Sequence, residues 1–412
     1  MLNKVAYLWE RRRVLKNMAG NYFSWLLNEA GRKNADPELP TIICVRRTAR
    51  TRIHNHALSL GKVGVQTILI AHAYDYHYQK ETFSEIHPWL HIKQIPGLIN
   101  KLQRRLNIIA VISSHQPAAQ TEVLLEMKRD FPLLIDHHDS AWSQVYFQGT
   151  TDIPESGAWL SQSEVASEEK CYRSVDGVIA RNGELIELFE ENQVKTPVKV
   201  FEDRCYRPSF QPVPEHGRPK SGQWSIAYAG AVFSGNEDPR NSHPQLVAYG
   251  DTFNRANVHF HIYPSPLHEY SYPDYHAEAA RNPFFHIHRS VGYRQIQRTL
   301  SAYDLGLINI ETPAAFTLFS SKHFQYHIHA KFHAYMEAGL PIIVPACFKR
   351  EAEIVHEWGI GIVFEKFHDI NLAELLDGAN IHSMRQSICR AREAWAAENQ
   401  GEDLLAFISM CS

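Results

Sequence analysis

Short apolar runs recur along this chain, separated by helix-like stretches, and the alternation is broken only once. Residues 41–45, 65–70, 108–112, 132–136 and 177–180 read as strands, with helical stretches around 52–60, 99–106, 118–129 and 158–173 between them. Strands separated by whole helices cannot form tight hairpins; they pair in parallel through crossover connections. The break comes at 208–222, where Pro208, Pro212, Pro214, Gly217, Pro219 and Gly222 interrupt any periodicity and mark a linker. The pattern then restarts, with strands at 224–229, 258–263, 284–288, 305–309, 341–344 and 361–364. The reading is an α/β chain of two Rossmann-like, doubly wound domains facing each other across a cleft. Its parts are a helical extension (1–38), an N-terminal domain (39–207), the linker, a C-terminal domain (223–380) and a last helix (381–412) able to pack back on the N-terminal domain. In such sheets ligands bind beyond the carboxyl ends of the strands, so residues at those ends carry the functional weight.

Composition narrows the class. A net charge of -3 over 412 residues argues against general nucleic-acid binding. The six cysteines form no CxxC pair, which suits buried thiols in a reducing compartment and a cytoplasmic location. No run reaches the roughly 18 apolar residues that a membrane span requires. Basic and apolar residues alternate at helical spacing in Trp9–Lys16 and Tyr22–Leu27, and Lys101–Arg105 adds a second basic helix. These suit either peripheral attachment to an anionic inner-leaflet surface or ordinary packing on the domain. Histidine is abundant, at 24 residues, and several lie two apart: His54/His56, His259/His261, His286/His288 and His327/His329. On a strand this spacing puts both rings on one face. With no HExxH pattern and no DxD-type motif after a strand, they read as structural, and no metal ligand is assigned.

Four segments of the second half occur in a characteristic order: Ile226–Gly230, Val291–Asn309, Lys331–Val344, and Glu353-Ile354 with Gly359–Val363. In the first half they are joined by Asp136–Asp139, Glu168–Ile179 and Val200–Phe210. Over about residues 40–365 the chain thereby resembles the GT-B glycosyltransferases, in particular the group 1 (family 4-like) branch, with Lys331–Val344 the most specific part. The resemblance implies a hexosyltransferase-like enzyme of polysaccharide or glycoconjugate biosynthesis. It would move a sugar from a UDP- or GDP-linked donor to a glycan or lipid-linked acceptor; the lack of a DxD-type motif after a suitable strand points to transfer without metal, and no other cofactor is expected. It also implies donor contacts at Gly230, Lys331, Glu337, Tyr335 and Asn309. The retaining branch carries two glutamates eight residues apart, where this chain has Tyr326 and Ala334. Glu337, one turn beyond Ala334, is the candidate substitute for the ribose contact, and the stereochemistry stays open.

Some of the same residues stand out by their chemistry alone. Lys331 near a helix N-terminus joins a cation to a dipole that favours anions, although a solvated helix lysine would show the same pattern. Arg46, Arg47 and Arg50, with His54, follow the first strand and form a candidate acceptor site for an anionic group, or else a solvated basic face. His138, Asp139 and His115 follow strands and are the candidate catalytic groups, with strand-end capping as the plain alternative. A nucleotide-sugar epimerase and a non-catalytic sugar-nucleotide-binding module are the competing functions.

Overall fold

The computed structural model describes residues 35–47, 51–72, 82–148, 161–213, 223–232, 246–265, 272–310, 321–367 and 371–412. Seven strands form the N-terminal sheet: β1 (Pro40–Arg46), β2 (Gln66–His72), β3 (Glu85–Trp89), β4 (Asn107–Ser114), β5 (Leu133–Asp136), β6 (Gly177–Ala180) and β7 (Val198–Val200). They are parallel, in the order β3-β2-β1-β4-β5-β6-β7. The C-terminal sheet holds β8 (Ser225–Gly230), β9 (His259–Pro264), β10 (Phe285–Ile287), β11 (Leu305–Leu307), β12 (Ile342–Pro345) and β13 (Gly361–Phe364). Its order is β10-β9-β8-β11-β12-β13, again parallel. Strand order reverses between β1 and β4 in one sheet and between β8 and β11 in the other. In open α/β sheets such a reversal, at the carboxyl ends of the strands, is where ligands bind.

Helices cover both faces of each sheet, which is why the central strands are continuously apolar. Ile43 and Val45 of β1 pack into one core layer, and Ile42 and Cys44 into the other. β3 and β7 have no apolar run to announce them in the sequence. Both lie at sheet edges, where half-burial suffices and where Pro88 can sit without breaking a ladder.

The chain passes between domains near Phe201–Gln211, where Cys205 bridges to Ala396. It returns through the last helix, Gly401–Met410. Leu404, Phe407 and Ile408 of that helix enter the N-terminal core beside Ile53 and Leu60. Ser59 Oγ donates to the Ala397 carbonyl at 2.5 Å, and Gly401 lies so close to the Ser59 backbone that a side chain there would collide with it. Residues 1–34 and 214–222, with most of the expected extension and linker, lie outside the described residues.

Tyr335, proposed from the sequence as a donor contact, is instead a core residue. It is fully buried, with its hydroxyl donating to the Leu307 carbonyl (2.9 Å) and accepting from the Ala229 N–H (3.1 Å). Its ring lies over Gly306, where an added Cβ would stand 2.5 Å from Tyr335 Cγ. Gly306→Ala should therefore cost about 1–3 kcal/mol through overpacking, read as a lower melting temperature. An unchanged melting temperature would show that the ring does not occupy this place.

Candidate active site

At the first switch point, Asp136 ends β5 with no exposed surface. A buried carboxylate needs compensating charge. Arg46 pairs with it, Arg52 Nε reaches Oδ1 at 2.7 Å, and His56 Nε2 lies 3.2 Å away. Arg46 is thus an internal partner of Asp136 rather than an acceptor contact. His54 is buried with its ring edge-on to Phe83 at 5.0 Å, a packing role rather than a cleft role. Arg47 is exposed at the end of β1, and Arg50 lies outside the described residues.

Beyond Asp136 the chain turns through His137, His138 and Asp139. His115, at the end of β4, holds this turn from beneath. Its Nδ1 accepts the His138 N–H at 3.2 Å and its Nε2–H donates to the Asp139 carbonyl at 2.8 Å. Burial pushes His115 down to about 3. Both of its nitrogens are spent on backbone, so His115 positions the turn and is corrected from catalytic candidate to support. Glu168 fixes the far side, accepting from Ser140 Oγ (2.7 Å) and the Trp142 N–H (3.0 Å), and burial pushes its own carboxyl up to about 8.

What the turn presents is a histidine–aspartate pair. His138 Nδ1 lies 2.7 Å from Asp139 Oδ2, and both side chains are about a quarter to a third exposed, at 27% and 30%. Burial opposes ionisation of Asp139, but the charges of His138 and Arg181 hold its carboxyl well below the usual range. An ionised Asp139 accepts a hydrogen bond from the Nδ1–H of His138, which leaves the His138 Nε2 lone pair as the basic atom. Burial and the Arg181 charge keep His138 itself below its ordinary value.

Arg181, the residue after β6, was not singled out in the sequence. It donates to Asp139 (3.1 Å), to Asp203 (2.9 Å) and to the Ile328 carbonyl of the other domain (2.8 Å). Its place at a strand's carboxyl end was the available signal. The domains also meet where Tyr326 and Lys322 bond Glu187, and where His323 Nδ1 lies 3.3 Å from Glu184. Tyr326, which stands where a glutamate was sought, therefore spends its hydroxyl on interdomain contact. Donor atoms of Asp139, His323 and His327 lie within 4.8 Å of one another, close enough to share a cation. The Asp139 carboxylate already carries Arg181 and His138.

On the C-terminal side, Lys331 occupies the first turn of the helix Ala330–Ala338. That helix has no side-chain N-cap bond, and its Phe332 N–H donates to the His329 carbonyl at 2.9 Å. Nζ donates to the Ile308 carbonyl at 2.7 Å and lies 4.0 Å above the Tyr228 ring. Gly230 makes room for it: a Cβ there would stand 3.3 Å from Nζ. Asn309, next to Ile308, is buried and accepts the Ile310 N–H at 2.8 Å. Gly230, Lys331 and the β11 end bearing Asn309 thus converge at the second switch point. Burial pushes Lys331 down to about 7, partly offset by the carboxylate of Glu351. Glu351 is itself held by the His329 N–H at 2.7 Å.

Glu337 does not join them. It is buried at the crossing segment, accepting from the Tyr206 N–H (2.7 Å) and Gln297 Nε2 (2.9 Å), with burial raising its carboxyl to about 7. The proposed ribose contact at Glu337 is therefore corrected to a tie between the crossing segment and the C-terminal domain.

Residues 246–397 match the family described as the glucosyltransferase 3-like C-terminal domain. No curated protein sequence matches the chain. Among solved structures, it is similar to sucrose-phosphate synthase from Thermosynechococcus elongatus, at 10% identity and a TM-score of 0.58 over 90% of this chain and 100% of that one. It is also similar to a glycosyltransferase from Rickettsia africae (12% identity, TM-score 0.57, covering 91% and 99%). A third is UGT2 of Phytolacca americana, complexed with UDP-2-fluoro-glucose and pterostilbene (11% identity, TM-score 0.51, covering 89% and 99%). At these identities the likeness is one of fold: two facing α/β domains of the GT-B type.

Proposed function

We propose that this chain, a GT-B glycosyltransferase, docks the diphosphate of a UDP- or GDP-linked hexose at Lys331 and transfers the sugar to a hydroxyl deprotonated by His138. The observation that carries the reading is the lodging of the Lys331 ammonium between Gly230 and the Ile308 carbonyl, at the switch point of the donor sheet. In the step, the acceptor oxygen bonds to the anomeric carbon as the bond from that carbon to the diphosphate oxygen breaks. The electron pair leaves on the diphosphate, where Lys331 and the helix N-terminus meet the growing charge. The hydroxyl proton passes to His138 Nε2, and Asp139 stabilises the imidazolium that results. In this reading Lys331, rather than a metal ion, supplies the cation at the leaving group. Arg47 would meet an anionic group of a glycan or lipid-linked acceptor. Among the described residues no helix is long and apolar enough to cross a membrane.

Free nucleotide released from UDP- and GDP-hexoses in the presence of saccharide acceptors tests the proposal. Acceptor-dependent release that persists in EDTA is expected. Interconversion of the donor without acceptor would instead favour the epimerase.

The Lys331 environment also sets a pH dependence. A bound diphosphate raises the ammonium's pKa above its free value near 7, so binding above that pH must take up a proton. Donor affinity should hold steady below about pH 7 and fall by up to about tenfold per unit above it, as linkage requires. Calorimetry with UDP or GDP reads this directly, and an affinity constant up to about pH 9 would contradict it.

A further inference from the structure

Two of the histidine pairs meet on one face at the edge of the C-terminal sheet. β9 and β10 run parallel with His261 opposite His286. The alternate residues Phe260, Ile262 and Phe285 are buried in the core, so the register commits the histidines to the other face. His259 Nδ1 lies 2.9 Å from His286 Nε2, and His261 Nδ1 lies 2.9 Å from His288 Nε2. One ligand atom from each of His259, His261 and His286 falls within 4.8 Å of the others, and all three side chains are half-buried.

The amide oxygen of Gln223 lies 3.1 Å from His259 Nε2. An amide oxygen can only accept, so Nε2 carries the proton and the Nδ1 lone pair faces the cluster. An oxygen behind the far nitrogen is the usual support of a metal-bound imidazole. The trio contains no carboxylate, so it suits zinc-class ions and not magnesium or calcium. Zinc–nitrogen bonds of about 2.0–2.1 Å in a tetrahedron put the nitrogens roughly 3.3 Å apart, within small side-chain rotations of the observed arrangement.

We propose that His259, His261 and His286 bind one zinc-class divalent ion, with a fourth position open to water. The site lies outside the transfer chemistry. It clips the three-residue strand β10 to β9.

The test uses the full chain, stripped with EDTA, dialysed and titrated with zinc chloride. Metal analysis should find one ion retained per wild-type chain. His261→Ala and His286→Ala should lose it while keeping wild-type circular dichroism. Gln223→Ala should bind about 10–100-fold more weakly. Zinc should raise the melting temperature of the wild type and not of His261→Ala. His327→Ala, which alters the cluster at the domain cleft, should bind as the wild type does. Equal binding by wild type and the strand variants, no retention by the wild type, or loss in His327→Ala alone would each overturn the proposal. Nucleotide release is a separate readout, expected to survive stripping.

Discussion

Lys331→Ala should lower turnover of the nucleotide-sugar donor by about 10²–10³-fold while the protein stays folded, the usual loss when one group stabilising a developing anion is removed. In the free protein burial pushes the Lys331 ammonium down to about 7, partly offset by Glu351, and it contacts the Ile308 carbonyl and the Tyr228 ring. A charge held under such conditions adds little to stability, so its removal should leave the melting temperature near that of the wild type. The leaving diphosphate gains charge as its bond to the sugar breaks, so the contact strengthens toward the transition state. The effect should accordingly fall more on kcat than on donor affinity. Lys331→Arg keeps the charge and should recover part of the loss. Full activity in the alanine variant would remove Lys331 from the mechanism.

His138→Ala should cost about 10²–10⁴-fold in kcat/KM, the range for loss of a positioned base. Asp139→Asn should also be slow, because it removes the carboxylate that holds the Nδ1 proton. A pH profile separates a base from a group that only shapes the cleft. A base works deprotonated, and His138 lies below its ordinary value because of burial and Arg181. Wild-type kcat/KM should therefore rise with pH through an acidic limb below the ordinary histidine range, then decline above about 7 as free Lys331 loses its proton. Loss of the acidic limb in His138→Ala, with the alkaline limb retained, would identify the base. An acidic limb that persists unchanged would assign it to another group.

The central strands were legible because parallel strands covered on both faces must be apolar throughout, as Ile42–Val45 and Ile342–Val344 are. The edge strands β3 and β7 escaped because half-burial leaves no such run. Site residues divided by a similar logic. Lys331 and Gly230 converge because a helix start and a strand end lie at one switch point, which a local pattern can reveal. Arg46 and Glu337 could not be placed that way. Their partners, Asp136 and Tyr206, are 90 and 131 residues distant in the sequence, and only the folded chain shows those charges spent internally. Arg181 was missed for the converse reason: a lone arginine after a short strand looks ordinary until Asp139, Asp203 and Ile328 surround it.

Diffraction from crystals of the chain grown with UDP or GDP would show where the diphosphate docks. A phosphate oxygen within about 2.7–3.2 Å of Lys331 Nζ, beside Gly230, is the predicted result. Nucleotide bound with its phosphates on the N-terminal domain, and Nζ still closed on the Ile308 carbonyl, would contradict it.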